Sequence, residues 1–397
     1  MIVNLEPAKD VGKFAFLHLG FRPFFIGASG FAVLSMLMWM LIYVFGWNVE
    51  FKYFSTMTWH AHEMIFGYAL AVAAGFLLTA IKNWTNLQTV HGYRLLLLFL
   101  LWLLARCLPF VEGGGIFTAV VDNLFIVSLI IAVALPLVKA KHWKSLAFVL
   151  ILVLLLMGNI VFYLGVFGIV PNVTHYGLYI GLYLILGLIF IMGRRVMPFF
   201  IERGVDETIQ VKNRKWLDKI HCPIYWGFVI SDLITPYSYL TAILAGIFAL
   251  THATRLFGWY TKGIWKKPLL WILYLASSFI VLGFILKALS IFAGISIYLS
   301  VHALTFGGIG LITIGMMARV SLGHTGREIH NPPKSIFWIF ALLVSGVIIR
   351  VIFPLINSSF YLYWIGISQI LWIIGFAWFF WIYFPMLIYP RTDGRYG

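Results

Sequence analysis

Four histidine-bearing segments carry the residues best suited to chemistry in this chain. They are Trp59-His60-Ala61-His62-Glu63-Met64, Thr251-His252-Ala253-Thr254-Arg255, His302-Ala303-Leu304-Thr305 and Gly323-His324-Thr325-Gly326-Arg327. Imidazole nitrogen is a ligand for both iron and copper, and two imidazoles on facing helices can clamp a haem iron. His60 and His62 are two residues apart, roughly 200° around a helix, so they cannot serve one site from one face. The bland alternative is a set of interfacial histidines satisfied by backbone or water. The other histidines, His18, His91, His142, His175, His221 and His330, fall in loops or at the ends of apolar runs, where a solvated imidazole is the default.

The elements that would position these groups are membrane spans. The chain is 62% hydrophobic and 10% charged, with a mean hydropathy of +0.98. Soluble domains are about 45–50% apolar and about 25% charged, so this composition calls for lipid as the solvent. The expected fold is all-α, a polytopic transmembrane bundle of about twelve helices at roughly 20 residues per span. Apolar runs place spans near 22–46, 58–81, 94–110, 116–138, 144–168, 175–193, 218–234, 237–258, 268–293, 298–319, 334–357 and 361–386. The seventh is the weakest, because Pro223, Asp232 and Pro236 interrupt it. Residues 1–397 read as one transmembrane domain: six spans in 1–193, a cytoplasmic loop over 194–217, and six spans in 218–397.

Basic residues test that count, because cytoplasmic loops collect Lys and Arg. With both termini cytoplasmic, only Lys52, Arg106, Lys287 and Arg350 fall toward the outside, out of 28 Lys and Arg. The formal charge of +15 is therefore read as topology, not as a nucleic-acid surface. The two cysteines, Cys107 and Cys222, lie on opposite sides and cannot pair. The N-terminal segment lacks the apolar core of a signal peptide, so the first helix is expected to remain as an anchor.

In this topology spans two and ten run in the same direction. His60, His62 and His302 then share a depth about one turn below the outer face. His62 and His302 are the expected axial ligands of a haem, with His60 as alternate or copper ligand. His252 and His324 are candidates for a second metal site. Gly307, Gly308, Gly310 and Gly315 strip side chains from span ten, which suits either tight helix packing or a flat macrocycle. Glu63, Asp122, Asn123, Lys287 and Arg350 are ionisable or polar groups in or beside spans, where such groups are costly and are paired or functional. Lys287 and Arg350 could neutralise haem propionates or pair with Glu63 and Asp122. His252, Arg255, Arg319 and His324 outline a possible inner polar site, with snorkelling as the alternative for the two arginines.

The same segments resemble the NnrS family, haem- and copper-containing membrane proteins associated with the nitric oxide response. The matching strings are Gly20-Phe21-Arg22-Pro23-Phe24-Phe25, Trp59-His60-Ala61-His62-Glu63-Met64-Ile65-Phe66-Gly67, Ala74-Gly75-Phe76-Leu77-Leu78-Thr79-Ala80 and Asn83-Trp84-Thr85. Gly193-Arg194-Arg195-Val196-Met197-Pro198, Arg255-Leu256-Phe257-Gly258-Trp259, His302-Ala303-Leu304-Thr305 and Met317-Ala318-Arg319-Val320-Ser321-Leu322-Gly323-His324-Thr325-Gly326-Arg327 follow in the family's order. Lys82 stands where the family pattern has Pro, and Asn86 where it has Gly. The resemblance implies twelve spans, bound haem and copper, and protection from nitric oxide stress in a bacterial inner membrane. It leaves the redox partner and any catalytic residues unknown. The arrangement is also similar to the haem-copper oxidase core, although span six offers only His175.

Three rival functions stand beside this one, one of them a non-catalytic scaffold or sensor that would retain haem yet show no turnover. A transporter or channel for a metal or small anion would be colourless and would show flux. A nitric oxide reductase-like oxidoreductase would turn over with an electron donor.

Overall fold

The structure is a computed structural model and describes residues 13–49, 51, 53–205 and 208–397. Among these residues the chain forms twelve long helices. They are α1 (Phe21–Tyr43), α2 (Thr56–Thr85), α3 (Gly92–Phe110), α4 (Gly115–Lys139), α5 (Trp143–Val166), α6 (Thr174–Val205), α7 (Lys215–Ile234), α8 (Tyr239–Trp259), α9 (Pro268–Phe292), α10 (Ile297–His324), α11 (Ser335–Ile356) and α12 (Ser358–Ile388). All but α7 are long and apolar enough to cross a bilayer. α7 forms as a helix but carries Lys215, Asp218, Lys219 and Asp232, which matches its weakness as a span in the sequence. The chain is a multi-pass membrane protein.

Local chemistry sets several helix ends. Ser55 caps α2, its Oγ accepting from the Thr58 N–H at 3.1 Å, and Ser238 caps α8 in the same way. α2 stops at Asn86, which takes a left-handed backbone at φ 55°. That conformation favours glycine, with asparagine the next best choice. It explains why Asn86 can stand where the family pattern has Gly.

One boundary differs from the sequence expectation. The sixth span was expected to end at residue 193 before a long loop, but α6 runs unbroken to Val205 with Pro198 inside it. Arg194, Arg195 and Arg203 are therefore helical, and the connector shrinks to the residues between 205 and 215. A charge run read as a loop is instead the polar extension of a spanning helix.

The chain divides into two compact units. The first comprises Met1–Leu188, Met317–Ile329 and Phe376–Gly397; the second comprises Ile189–Met316 and His330–Gly375. In the first, α1 lies against α2. A Cβ on Gly75 would sit 3.0 Å from Phe24 and Phe25 atoms, and Thr79 Oγ1 accepts the Phe21 N–H at 3.1 Å. In the second, the glycines of α10 do the work expected of tight helix packing. Added Cβ atoms would meet Phe279 at 2.6 Å from Gly307, Ile280 at 2.6 Å from Gly308 and Trp372 at 2.9 Å from Gly310. Of the two readings of this glycine stretch, helix packing accounts for the space.

α2 and α10 share a backbone feature that the sequence did not announce. α2 changes from α-helix to π-helix at Glu63 and returns at Leu70, whose N–H reaches the Ile65 carbonyl five residues back. α10 changes at Ala303, and the Leu311 N–H reaches the Phe306 carbonyl five residues back. π-Helical turns are rare and occur often at functional sites. Each begins on the residue after a candidate ligand, His62 in one and His302 in the other.

Candidate functional site

His62 belongs to the first unit and closes the α-helical turn Thr56–His62. It is 1% exposed, and its ring stacks on Phe162 with centroids 4.4 Å apart. Both ring nitrogens are engaged. Nδ1 lies 3.1 Å from Glu63 Oε1, while Nε2 lies 2.9 Å from Asn159 Oδ1 and 3.3 Å from Asp122 Oδ2. Arg106 completes the cluster, donating to Glu63 Oε2 at 2.6 Å and to Asp122 Oδ1. Asp122 Oδ2 also accepts from Asn159 Nδ2 at 3.0 Å and from the Tyr163 hydroxyl at 3.2 Å. These groups come from α2, α3, α4 and α5.

The cluster has a shaped wall. A Cβ on Gly67 would stand 2.7 Å from Glu63 Oε2 and 3.0 Å from Arg106 Nη1, so only glycine leaves room for that ion pair. The Gly67 carbonyl accepts from Trp102 Nε1 at 2.9 Å. Glu63 and Asp122 were placed with Lys287 or Arg350 as one sequence option. Their partner is Arg106, which the sequence reading counted only as an outward basic residue. His60 points elsewhere, its ring lying flat on Trp39 at 4.5 Å, as its offset from His62 requires. In this arrangement His62 presents no uncommitted ring nitrogen to a metal.

The second unit holds His302 at the start of α10. Its Nδ1 donates to the Tyr298 carbonyl at 2.7 Å, which leaves Nε2 as the nitrogen with the lone pair. Arg350 of α11 is 7% exposed; its Nη2 lies 3.2 Å from His302 Nδ1 and donates toward the Nε2 lone pair at 3.3 Å. Its guanidinium also sits over the Tyr361 ring at 5.5 Å. Lys287 is committed elsewhere, paired with Asp232 at 2.5 Å with both groups buried. That buried Lys–Asp pair joins α9 to α7 and gives the weakest span a charged anchor.

A third group, also in the second unit, was missed as a pair. His221 of α7 was read as an interfacial default, yet its Nε2 lies 3.1 Å from His252 Nδ1 on α8. Both rings are buried among Phe190 and Phe248. His252 Nε2 is buried and has no hydrogen-bond partner, a state that costs free energy unless a ligand uses the atom. The signal available in sequence was depth: His221 opens a span and His252 closes the next, which places them side by side in an antiparallel pair.

Nearby, Arg255 donates to Asp218 at 3.1 Å, and Arg194 pairs with the same carboxylate at 2.8 Å. His324 lies in the first unit. Its ring is 5.6 Å from Phe21, and its carbonyl accepts from Arg391 at 3.0 Å. Arg319 is likewise a buried member of the first unit. The expected inner set of His252, Arg255, Arg319 and His324 thus divides between the units. Among the described residues no group of three or more His, Cys, Asp or Glu side chains is arranged to hold a metal.

Comparison with known proteins gives one family. A family model described as NnrS protein matches residues 15–391, nearly the whole chain. No curated protein matches it.

Proposed function

The chain belongs to the NnrS family, and from that premise we propose that it is a haem-binding protein of the nitric oxide response in a bacterial inner membrane. The observation that carries the haem reading is His302. Its Nδ1–H is fixed on a backbone carbonyl at 2.7 Å, the arrangement by which proteins hold an imidazole so that Nε2 faces a metal. Arg350 Nη2 stands 3.2 Å from Nδ1 and 3.3 Å from Nε2 of that ring, so its guanidinium must turn aside for iron to reach Nε2, and it would then suit the carboxylate of a haem propionate. Haem bound there would supply an iron centre able to take nitric oxide or pass single electrons.

Copper is the second metal we propose, at His252. The orphan Nε2 of that buried ring is the donor, and His221 holds the opposite nitrogen. Imidazole suits copper as well as iron, and a ring partner that fixes the tautomer is the usual support for a metal-ligating histidine.

The optical spectrum and metal content of the detergent-purified protein test this function. A Soret band with stoichiometric iron is expected. A colourless, iron-free protein that moves a metal or anion into proteoliposomes would replace it with the transporter reading.

A further inference from the structure

Lys215, Asp218, Lys219 and Asp232 all lie within the 20 residues of α7, too many charges for entry into a bilayer on apolar affinity alone. Its length is nonetheless that of a span, about 30 Å at roughly 1.5 Å per residue. The distribution of its side chains resolves the conflict. Asp218, His221, Tyr225, Phe228 and Asp232 follow one another at alternating steps of three and four, so they share one face of the helix. His221, Tyr225, Phe228 and Asp232 are buried, and Asp218 is half-buried. Trp216, Ile230 and Ile234, on the opposite face, are exposed. α7 is polar within and apolar without, the reverse of a helix on the surface of a soluble protein.

The polar face is matched step by step along α8. Arg255 Nη2 donates to Asp218 Oδ1 at 3.1 Å. One turn further on, His221 Nε2 lies 3.1 Å from His252 Nδ1. The Tyr225 ring then packs on Phe248, with centroids 5.2 Å apart, and Ser231 Oγ lies 2.7 Å from Thr241 Oγ1. Each advance along α7 meets an equal retreat along α8: 218 with 255, 221 with 252, 225 with 248. That is the register of two antiparallel helices aligned over most of their length. The turn joining them is short, and Ser238 Oγ closes it by accepting from the Thr241 N–H at 3.2 Å.

Asp232 is matched from α9 instead. Lys287 Nζ lies 2.5 Å from its Oδ1, and both side chains are at most 4% exposed. Phe284, one turn earlier on α9, packs on Phe228 at 5.0 Å and on Tyr225 at 6.4 Å. Ionisable groups within spans are tolerated when they face the bundle interior and pair. Without Lys287 the Asp232 carboxylate would be an uncompensated buried charge, and water beyond the bilayer would be the better place for it.

We propose that α7 and α8 cross the membrane together as one antiparallel hairpin, and that the contact of Lys287 with Asp232 holds α7 in place. α7 is then a span by virtue of its partners and not of its own hydropathy. The segments before α7 and after α8 lie on one side of the membrane whether the hairpin is inserted or withdrawn. The remaining spans therefore keep their orientation in either state. The inference does not rest on haem or copper binding, and its readout uses neither.

The test is one-sided labelling of single cysteines in the full-length protein, using a membrane-impermeant maleimide on sealed vesicles of each orientation. Cys107 and Cys222 are replaced by Ser. The probes are Gln210→Cys before α7, Tyr237→Cys in the turn between α7 and α8, and Ala293→Cys after α9, all at exposed positions. Tyr237→Cys and Ala293→Cys are expected to label from one face and Gln210→Cys from the other. Labelling of Tyr237→Cys and Gln210→Cys from the same face would overturn the proposal. Adding Lys287→Met is expected to move most of the Tyr237→Cys labelling to the Gln210 face, while Ala293→Cys stays where it was. Adding Asp232→Asn as well, which removes the stranded charge, is expected to restore the first pattern. An unchanged pattern in Lys287→Met would overturn the proposal. Should Lys287→Met fail to accumulate, the double variant must recover both amount and pattern, and a double variant that does not would overturn it too.

Discussion

Asn159 sets the direction of the second hydrogen bond of His62: its Oδ1 is 2.9 Å from Nε2, and its amide nitrogen is held 3.0 Å from Asp122. A neutral side chain on α5 thereby fixes the orientation of an imidazole on α2. The same contact commits the nitrogen that an axial ligand would need. His62 and His302 resemble each other in sequence position, each just before a π-helical segment, but their hydrogen bonds give them different chemistry.

Gly67→Ala should test the fit of the cluster. The new methyl carbon would stand 2.7 Å from Glu63 Oε2 and 2.8 Å from Phe31, and the ion pair or the backbone must shift. Overpacking of this kind costs about 1–3 kcal/mol. A clear fall in the melting temperature of the purified protein is expected, and an unchanged value would mean that the site yields easily.

Lys287→Met should be strongly destabilising, by about 3–5 kcal/mol, because it leaves Asp232 buried without its counter-ion. Lys287→Met with Asp232→Asn should regain most of that. A thermal-unfolding cycle of the two singles and the double measures the coupling, and simple additivity would count against a buried pair.

Arg22 is fully buried, and its guanidinium gathers the carbonyls of Leu387 and Tyr389, each at 2.8 Å, and that of Gly397 at 2.9 Å. Lysine has one compact donor group in place of this planar fork. Arg22→Lys is expected to speed limited proteolysis after residue 388 without changing the α-helical content by circular dichroism. Equal cleavage rates would show that the tail is held by other contacts.

His18 lies outside the spans, half-buried and stacked on Tyr396 at 4.4 Å. Burial first, and then the Arg22 guanidinium, hold its imidazole below the ordinary value of 6.5. Between the lowered value and 6.5 the unfolded chain binds a proton that the folded chain refuses, so stability falls as pH drops through this window. His18→Gln is expected to flatten the loss of melting temperature on mild acidification. An identical pH profile would assign that loss to other groups.

Much of the fold was legible because it follows from the solvent. Runs of apolar residues broken by Lys and Arg marked the helices, and Pro223 and Asp232 marked α7 as the odd one. The extension of α6 to Val205 was hidden, since Arg194, Arg195 and Arg203 suit a polar helix end as well as a loop. The site was legible at the level of residue type. His62, His302 and His252 were singled out, but their partners lie far away in sequence: Asn159 is 97 residues from His62, and Arg350 is 48 from His302. Arg106 was counted for topology and proved to be the centre of the ion cluster. The π-helical turns left no periodic trace, because a seven-residue segment, Glu63–Ala69, is too short to shift a hydrophobic pattern.

The ligand assignment is tested most directly by comparing the Soret band of His302→Ala with that of His62→Gln. Loss or a marked shift in His302→Ala, with the band retained in His62→Gln, is the expected result. A band abolished in His62→Gln and untouched in His302→Ala would contradict it.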